Sequence, residues 1–241
     1  RIYYQPIVDA RDGSVVMQEA LLRVISPDGD LMTLGSFKEI LNEGRITSRL
    51  DRWIVRRILD ETIDYIGSDA IPMISMNLFP PSIVDRSFFG EIRSLIDDVD
   101  YPKDKVVIEI SEQLLLSHQK HAKQNIIEAT EEEDLNFALD DFGVGHGSFK
   151  TLKTLPLRFL KIDGTFVQNL PNNDMDQNFV DTIAKLCGDI DLDVVGEWIE
   201  DDETSDLLQS LGVQYHQGYF YHRPKPLSHW LKELPGPDGT D

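Results

Sequence analysis

The chain has 241 residues, 41% hydrophobic and 27% charged, the balance of a soluble globular protein of one or two domains. Against 23 lysines and arginines stand 43 aspartates and glutamates, a net charge of −20. This excludes a basic face for long nucleic acids and leaves any anionic ligand dependent on local positive charge. No apolar run approaches the roughly 20 residues of a membrane-spanning helix. No basic-then-apolar leader opens the chain, and a single cysteine, Cys187, excludes an internal disulfide and suits a reducing cytoplasm.

In chain order, the first strand-like runs are IYYQPIV (2–8) and SVVMQEALLRV (14–24). Only Asp9 to Gly13 separates them, too short for a crossover, so they form a hairpin and one strand runs antiparallel. A helical pattern follows over 47–67, with Leu50, Trp53, Ile54, Ile58 and Ile63 along one apolar face. Further strands are expected at PMISMNL (72–78), KVVIEIS (105–111), NFALDDF (136–142), RFLKID (158–163), DVVGEW (193–198) and QYHQGYFY (214–221). The acidic run Glu131 to Asp134 reads as solvated surface. Phe179, Ile183, Leu186 and Cys187 recur at helical spacing, which makes Cys187 a core filler. Another helix stops at Gly212. There is no fixed-period repeat, and the tail 234–241, LPGPDGTD, is expected to be disordered. Residues 1–233 therefore form one α/β domain, with eight strands alternating with helices as in a parallel barrel.

In such a barrel the chemistry gathers at the C-terminal strand ends. Those ends carry Glu19, Asn77, Glu109, the pair Asp140 and Asp141, Lys161, Glu197 and Gln217. Singly, each has a plain explanation: Asn77 as a turn residue, Asp163 as a helix cap, Gln217 as a loop hydrogen-bonder. Together they are hard to explain that way, because converging buried carboxylates need cations to neutralise them. With only oxygen ligands and no Cys or His cluster, the set favours Mg²⁺ or Mn²⁺ over Zn²⁺. His146, His216 and His222 form no ligand motif. The tandem Asp140 and Asp141 would let one carboxylate bridge two ions about 3.5–4 Å apart, the geometry of two-metal phosphoester hydrolysis.

These residues resemble the EAL-domain phosphodiesterases, which hydrolyse the bacterial messenger cyclic di-GMP. The matches run in family order from residue 2 to about residue 227: Gln5-Pro6-Ile7, Glu19-Ala20-Leu21-Leu22-Arg23, Asn77-Leu78, Glu109-Ile110-Ser111-Glu112, Asp140-Asp141-Phe142-Gly143, Leu160-Lys161-Ile162-Asp163, Glu197 with Glu200, and Gln217-Gly218. The resemblance implies a TIM-like (β/α)8 barrel with an antiparallel first strand. It implies a first metal held by Glu19, Asn77, Glu109 and Asp140, and a second served by Asp140, Asp141 and Glu197. Lys161 would orient the attacking water, with Gln217 supporting the same network. Arg23, together with Gln5 and Asp163, would bind substrate. Glu112 would brace the loop after Asp141, and Glu200 would stand behind the ligands.

The implied reaction is in-line attack of a metal-activated water on cyclic di-GMP, giving linear pGpG. The resemblance further implies a homodimer, and a cytoplasmic module that can be fused to sensor or GGDEF modules of a longer, membrane-attached protein. The sequence departs from the usual family pattern in the loop after Asp141, where Val144, His146 and Gly147 stand, and at Trp198, where glycine is common. Thr33, Asn42 and Phe79 also differ. Trp198 can either pack between barrel and helix or stack on a guanine. The competing reading is a catalytically inactive cyclic di-GMP receptor, but every matched ligand is present, which favours the enzyme.

Overall fold

Residues 1–37, 46–66, 71–117, 119–144 and 149–230 are described by a computed structural model. Asn42, His146, Gly147 and the tail 234–241 lie outside the described residues. Strands β1 (Ile2–Asp9) and β2 (Val15–Ile25) form the expected hairpin, with Gln5 opposite Glu19. From β2 the sheet continues in parallel through β4 (Ile74–Asn77), β5 (Val106–Ser111), β6 (Asn136–Phe142), β7 (Phe159–Ile162), β8 (Asp193–Gly196) and β9 (Tyr215–His216). The last strand pairs antiparallel with β1, closing a ring of eight in which β1 alone is reversed. A short strand that sequence reading missed, β3 (Leu31–Thr33), pairs with β2 outside the ring, with Thr33 opposite Arg23. Three residues carry too little alternation to announce a strand.

Around the ring run helices α1 (Thr47–Thr62), α2 (Pro80–Val84), α3 (Arg86–Asp98), α4 (Glu112–Ser117), α5 (Gln119–Glu133), α6 (Phe149–Thr154), α7 (Gly164–Val167), α8 (Asp174–Gly188), α9 (Asp202–Ser210) and α10 (Leu227–Trp230). Successive side chains of a strand face opposite ways, so the barrel has two cores. Ile7, Met17, Met73, Val107, Ala138, Phe159 and Val195 pack together inside the ring. Their neighbours Ile108, Leu139, Leu160 and Val194 face outward, in one cluster with the helix residues Ile54, Ile58, Phe88, Ile126 and Val180. Cys187 is fully buried in that outer core, and burial pushes its thiol up to about 12.

Two expectations change. The buried face of α1 is Thr47, Asp51, Ile54, Val55, Ile58, Leu59 and Thr62, while Trp53 and Ile63 are exposed. The face is rotated because a polar side chain, Asp51, takes a core position and binds the chain after β4. The run QYHQGYFY is strand only at Tyr215–His216. It leaves the sheet at Gly218, whose bare backbone crosses so close to Ile199 that a Cβ there would lie 2.0 Å from the Ile199 carbonyl oxygen.

Candidate active site

The rim above the inner core follows from the period of two. Two residues beyond Met17, Val107, Ala138, Phe159, Val195 and Tyr215 stand Glu19, Glu109, Asp140, Lys161, Glu197 and Gln217. On reversed β1 the same layer is reached two residues before Ile7, at Gln5, which is buried and donates its amide to the His222 carbonyl at 3.1 Å. Asn77 ends β4 beside Glu109 in register.

These side chains meet around Lys161, which is 1% exposed. Its ammonium lies 2.8 Å from Glu197 Oε1, 3.0 Å from Glu109 Oε2, 3.3 Å from Asp140 Oδ1 and 3.4 Å from Glu19 Oε2. The Asn77 amide donates to Glu19 at 3.1 Å and Glu109 at 3.0 Å. Gln217 donates to Glu19 Oε2 at 2.5 Å. Burial works against the Lys161 charge, but the surrounding carboxylates, Asp140 and Glu109 foremost, outweigh it and hold its pKa well above the usual lysine value. Burial raises the Glu109 and Glu197 carboxyls, with Lys161 pulling both back.

One ammonium shared by four carboxylates leaves the site electron-rich. Glu109 Oε1 is buried with no hydrogen-bond partner among the described residues. Carboxylate oxygens of Asp140, Asp141 and Glu197 lie within 4.8 Å of one another and could hold a metal ion. An all-oxygen donor set with spare lone pairs suits a hard divalent cation, so the residues present fit such an ion.

Asp141 adopts a left-handed backbone, φ +55°, and Gly143 follows at φ +106°. Glu112, buried at the start of α4, accepts a hydrogen bond from the Gly143 amide at 3.3 Å. A Cβ at Gly143 would meet the Phe166 ring at 2.5 Å, so only glycine fits this corner.

Among the described residues, cavities of about 260 and 430 Å³ open on the rim, and both are lined by Leu21, Arg23 and Asp141. The smaller also reaches Gln5, Glu19, Glu197, Trp198, Glu200 and Gln217, and the larger reaches Asn77 and Asp140. Burial lowers the Arg23 pKa from its usual value. Asp163 stands apart: its carboxylate accepts from the Thr165 amide at 2.9 Å, capping α7, and it lines neither cavity. Glu200 is exposed at the mouth of the smaller one. Trp198 is not buried between barrel and helix; it is 59% exposed and lines the smaller cavity. Sequence reading missed Leu21 and Tyr219 as lining residues. Each lies two residues beyond a rim residue, Glu19 and Gln217, so carrying the same count one step further would have found them.

The sequence model of the EAL domain matches residues 1–224. This chain belongs to the EAL domain family. The EAL domain is 30% identical over 230 residues to the cyclic di-GMP phosphodiesterase PdeF of Escherichia coli K12, covering 95% of this chain and 30% of that protein. It is likewise 30% identical over 236 residues to the cyclic di-GMP phosphodiesterase PdeB of Shewanella oneidensis, covering 97% of this chain and 27% of that one. It thus spans about a third of the length of the curated relatives it matches. Among solved structures, the PaMucR phosphodiesterase in its c-di-GMP complex is 25% identical, with a TM-score of 0.89 and coverage of 95% of this chain and 93% of that one. The name-giving Glu19-Ala20-Leu21 of this EAL domain lies on β2, with Glu19 and Leu21 facing the rim and Ala20 in the outer core. No helix among the described residues is long and apolar enough to cross a membrane.

Proposed function

We propose that this EAL domain hydrolyses cyclic di-GMP to linear pGpG. The observation that carries the reading is the Lys161 ammonium within 3.4 Å of four carboxylates drawn from four strands or strand ends. So many converging acids on one buried cation make sense as a site built for metal ions as well. Glu19, Asn77, Glu109 and Asp140 would hold one divalent ion, Mg²⁺ or Mn²⁺, and Asp140, Asp141 and Glu197 a second. Bound there, two such ions supply a water nucleophile at neutral pH and neutralise charge on the phosphoryl oxygens.

The chain's own residues do the rest. Lys161 donates a hydrogen bond that directs the water toward phosphorus, and its rigid setting avoids reorganisation during attack. Gln217, anchored on Glu19, keeps that water network in place. Arg23, between the two cavities, offers its planar fork to phosphate oxygens, and Gln5, which lines the smaller one, adds a polar substrate contact, while Asp163 acts only as the cap of α7. Glu112 fixes the corner after Asp141 through the Gly143 amide, and Glu200 borders the Glu197 side of the cavity. A homodimer, fusion to sensor or GGDEF modules and a cytoplasmic setting belong to the same proposal, supported by family membership.

Incubation of the purified chain with cyclic di-GMP and Mg²⁺ or Mn²⁺ should yield pGpG by chromatography, and chelation should stop it. Tight binding without product under either ion would instead make this a receptor. Replacing Glu19 with Ala should abolish turnover; hydrolysis continuing unchanged would refute the first-metal assignment.

A further inference from the structure

Trp198 occupies an unusual position on two counts. Its φ is +56°, a left-handed conformation that bulky residues rarely adopt, and it keeps 59% of its surface exposed directly after the buried Glu197. Its side chain lies against the bare backbone of Gly164: a Cβ there would come within 2.4 Å of the indole Cγ. Strain at residue 198 and a missing side chain at residue 164 together hold a large flat ring at the wall of the smaller cavity. Backbone strain retained beside the carboxylate cluster points to a binding role, and 59% of the Trp198 surface stays open for it.

We infer that Trp198 is a specificity residue that stacks on a purine base of the substrate. The inference rests on the cyclic di-GMP reading and extends it to one named contact. The cavity lining matches both halves of a nucleotide: it holds the Arg23 guanidinium, a partner for phosphate, and the Trp198 indole, an apolar partner for a heteroaromatic ring. Indole stacks on bases over a broad area with few rotors to freeze. Because the base keeps this contact throughout phosphoryl transfer, the contact strengthens ground state and transition state alike. It therefore lowers KM more than it raises kcat.

The test compares wild type with W198F, W198A and W198G. Two readouts are used: steady-state hydrolysis of cyclic di-GMP and of bis(4-nitrophenyl) phosphate with Mn²⁺, and calorimetric binding of cyclic di-GMP in EDTA. Loss of one base-aromatic stack should raise KM, or Kd, about 5- to 100-fold in W198A. W198F should retain most of the affinity. W198G, which relieves the left-handed strain but carries no ring, should behave like W198A. The preference for cyclic di-GMP over bis(4-nitrophenyl) phosphate should fall by a similar factor. Wild-type KM and Kd in W198A and W198G would overturn the inference, as would a loss confined to kcat, which would mark a purely structural role next to Glu197. If the wild type binds cyclic di-GMP but makes no pGpG, while W198A binds weakly, the hydrolysis reading fails and the stacking contact stands. If wild type neither binds nor cuts, both fall.

Discussion

Replacing Lys161 with Met removes the ammonium while keeping most of the side-chain volume. At an effective dielectric of about 20, one pair of unit charges about 3 Å apart is worth roughly 5 kcal/mol. Four carboxylates lie between 2.8 and 3.4 Å from Nζ, so the gross attraction is on the order of 20 kcal/mol. Most of it is offset by stripping the ammonium of water, and breaking such a buried cluster typically costs about 3–5 kcal/mol net. That is the expected loss of unfolding free energy for K161M in urea at pH 7.5 with EDTA. The sign with pH follows from Glu109 and Glu197, whose carboxyls are raised by burial. A raised carboxyl contributes stability that is complete below its unfolded value and lost as pH rises through the folded one. The K161M deficit should therefore shrink at pH 5, where proton uptake replaces the missing cation. Added Mn²⁺ should raise the K161M midpoint more than that of wild type, and turnover of cyclic di-GMP should fall about 100-fold or more. Equal stability of K161M and wild type at pH 7.5 in EDTA, or a deficit unchanged at pH 5, would refute the charge-cluster reasoning.

Asp51 is fully buried on α1, accepting from the Phe79 amide at 3.1 Å and Ser82 Oγ at 2.5 Å, and burial pushes its carboxyl up to about 7. Its stabilising contribution is complete below pH 4 and declines as pH rises through 7. The neutral Asp51→Asn variant should gain roughly 1–3 kcal/mol at pH 8 by calorimetry; a loss there would contradict the assignment. His216 is buried beside Ser205 Oγ and Tyr221 Oη at 3.2 and 3.0 Å, and burial pushes its imidazole down to about 4. The folded state prefers the neutral ring, so this stability is full above about pH 6.5 and is lost as pH falls toward 4, by about 3 kcal/mol. Subtracting the pH profile of His216→Asn from that of wild type should expose the drop, and parallel profiles would argue against it. Gly218→Ala should cost more than about 2 kcal/mol in urea unfolding, because its Cβ would collide with the Ile199 carbonyl; a neutral effect would mean that this crossing is loose.

Much of the barrel was legible because strands alternate with a period of two: once Val107, Ala138 and Phe159 are inner core, Glu109, Asp140 and Lys161 must face the same way. The turn from Asp9 to Gly13 likewise required one reversed strand, since five residues cannot cross a barrel layer. Helix faces were less legible. Trp53 looked apolar and inward but is exposed, while Asp51 looked polar and is buried, because tertiary hydrogen bonds to Phe79 and Ser82 decide that position. Strand β9 was overextended because alternation continues past His216, and only the close crossing at Ile199 ends it.

The sequence by itself determined which side chains reach the rim, through alternation along each strand, and its ordered motifs named the family. Only the tertiary structure decided that one ammonium stands among four of those carboxylates, that Asp163 caps a helix away from the cavities, and that Trp198 faces the cleft. Period-two spacing fixes direction within a strand, whereas distances across a barrel depend on how eight strands close.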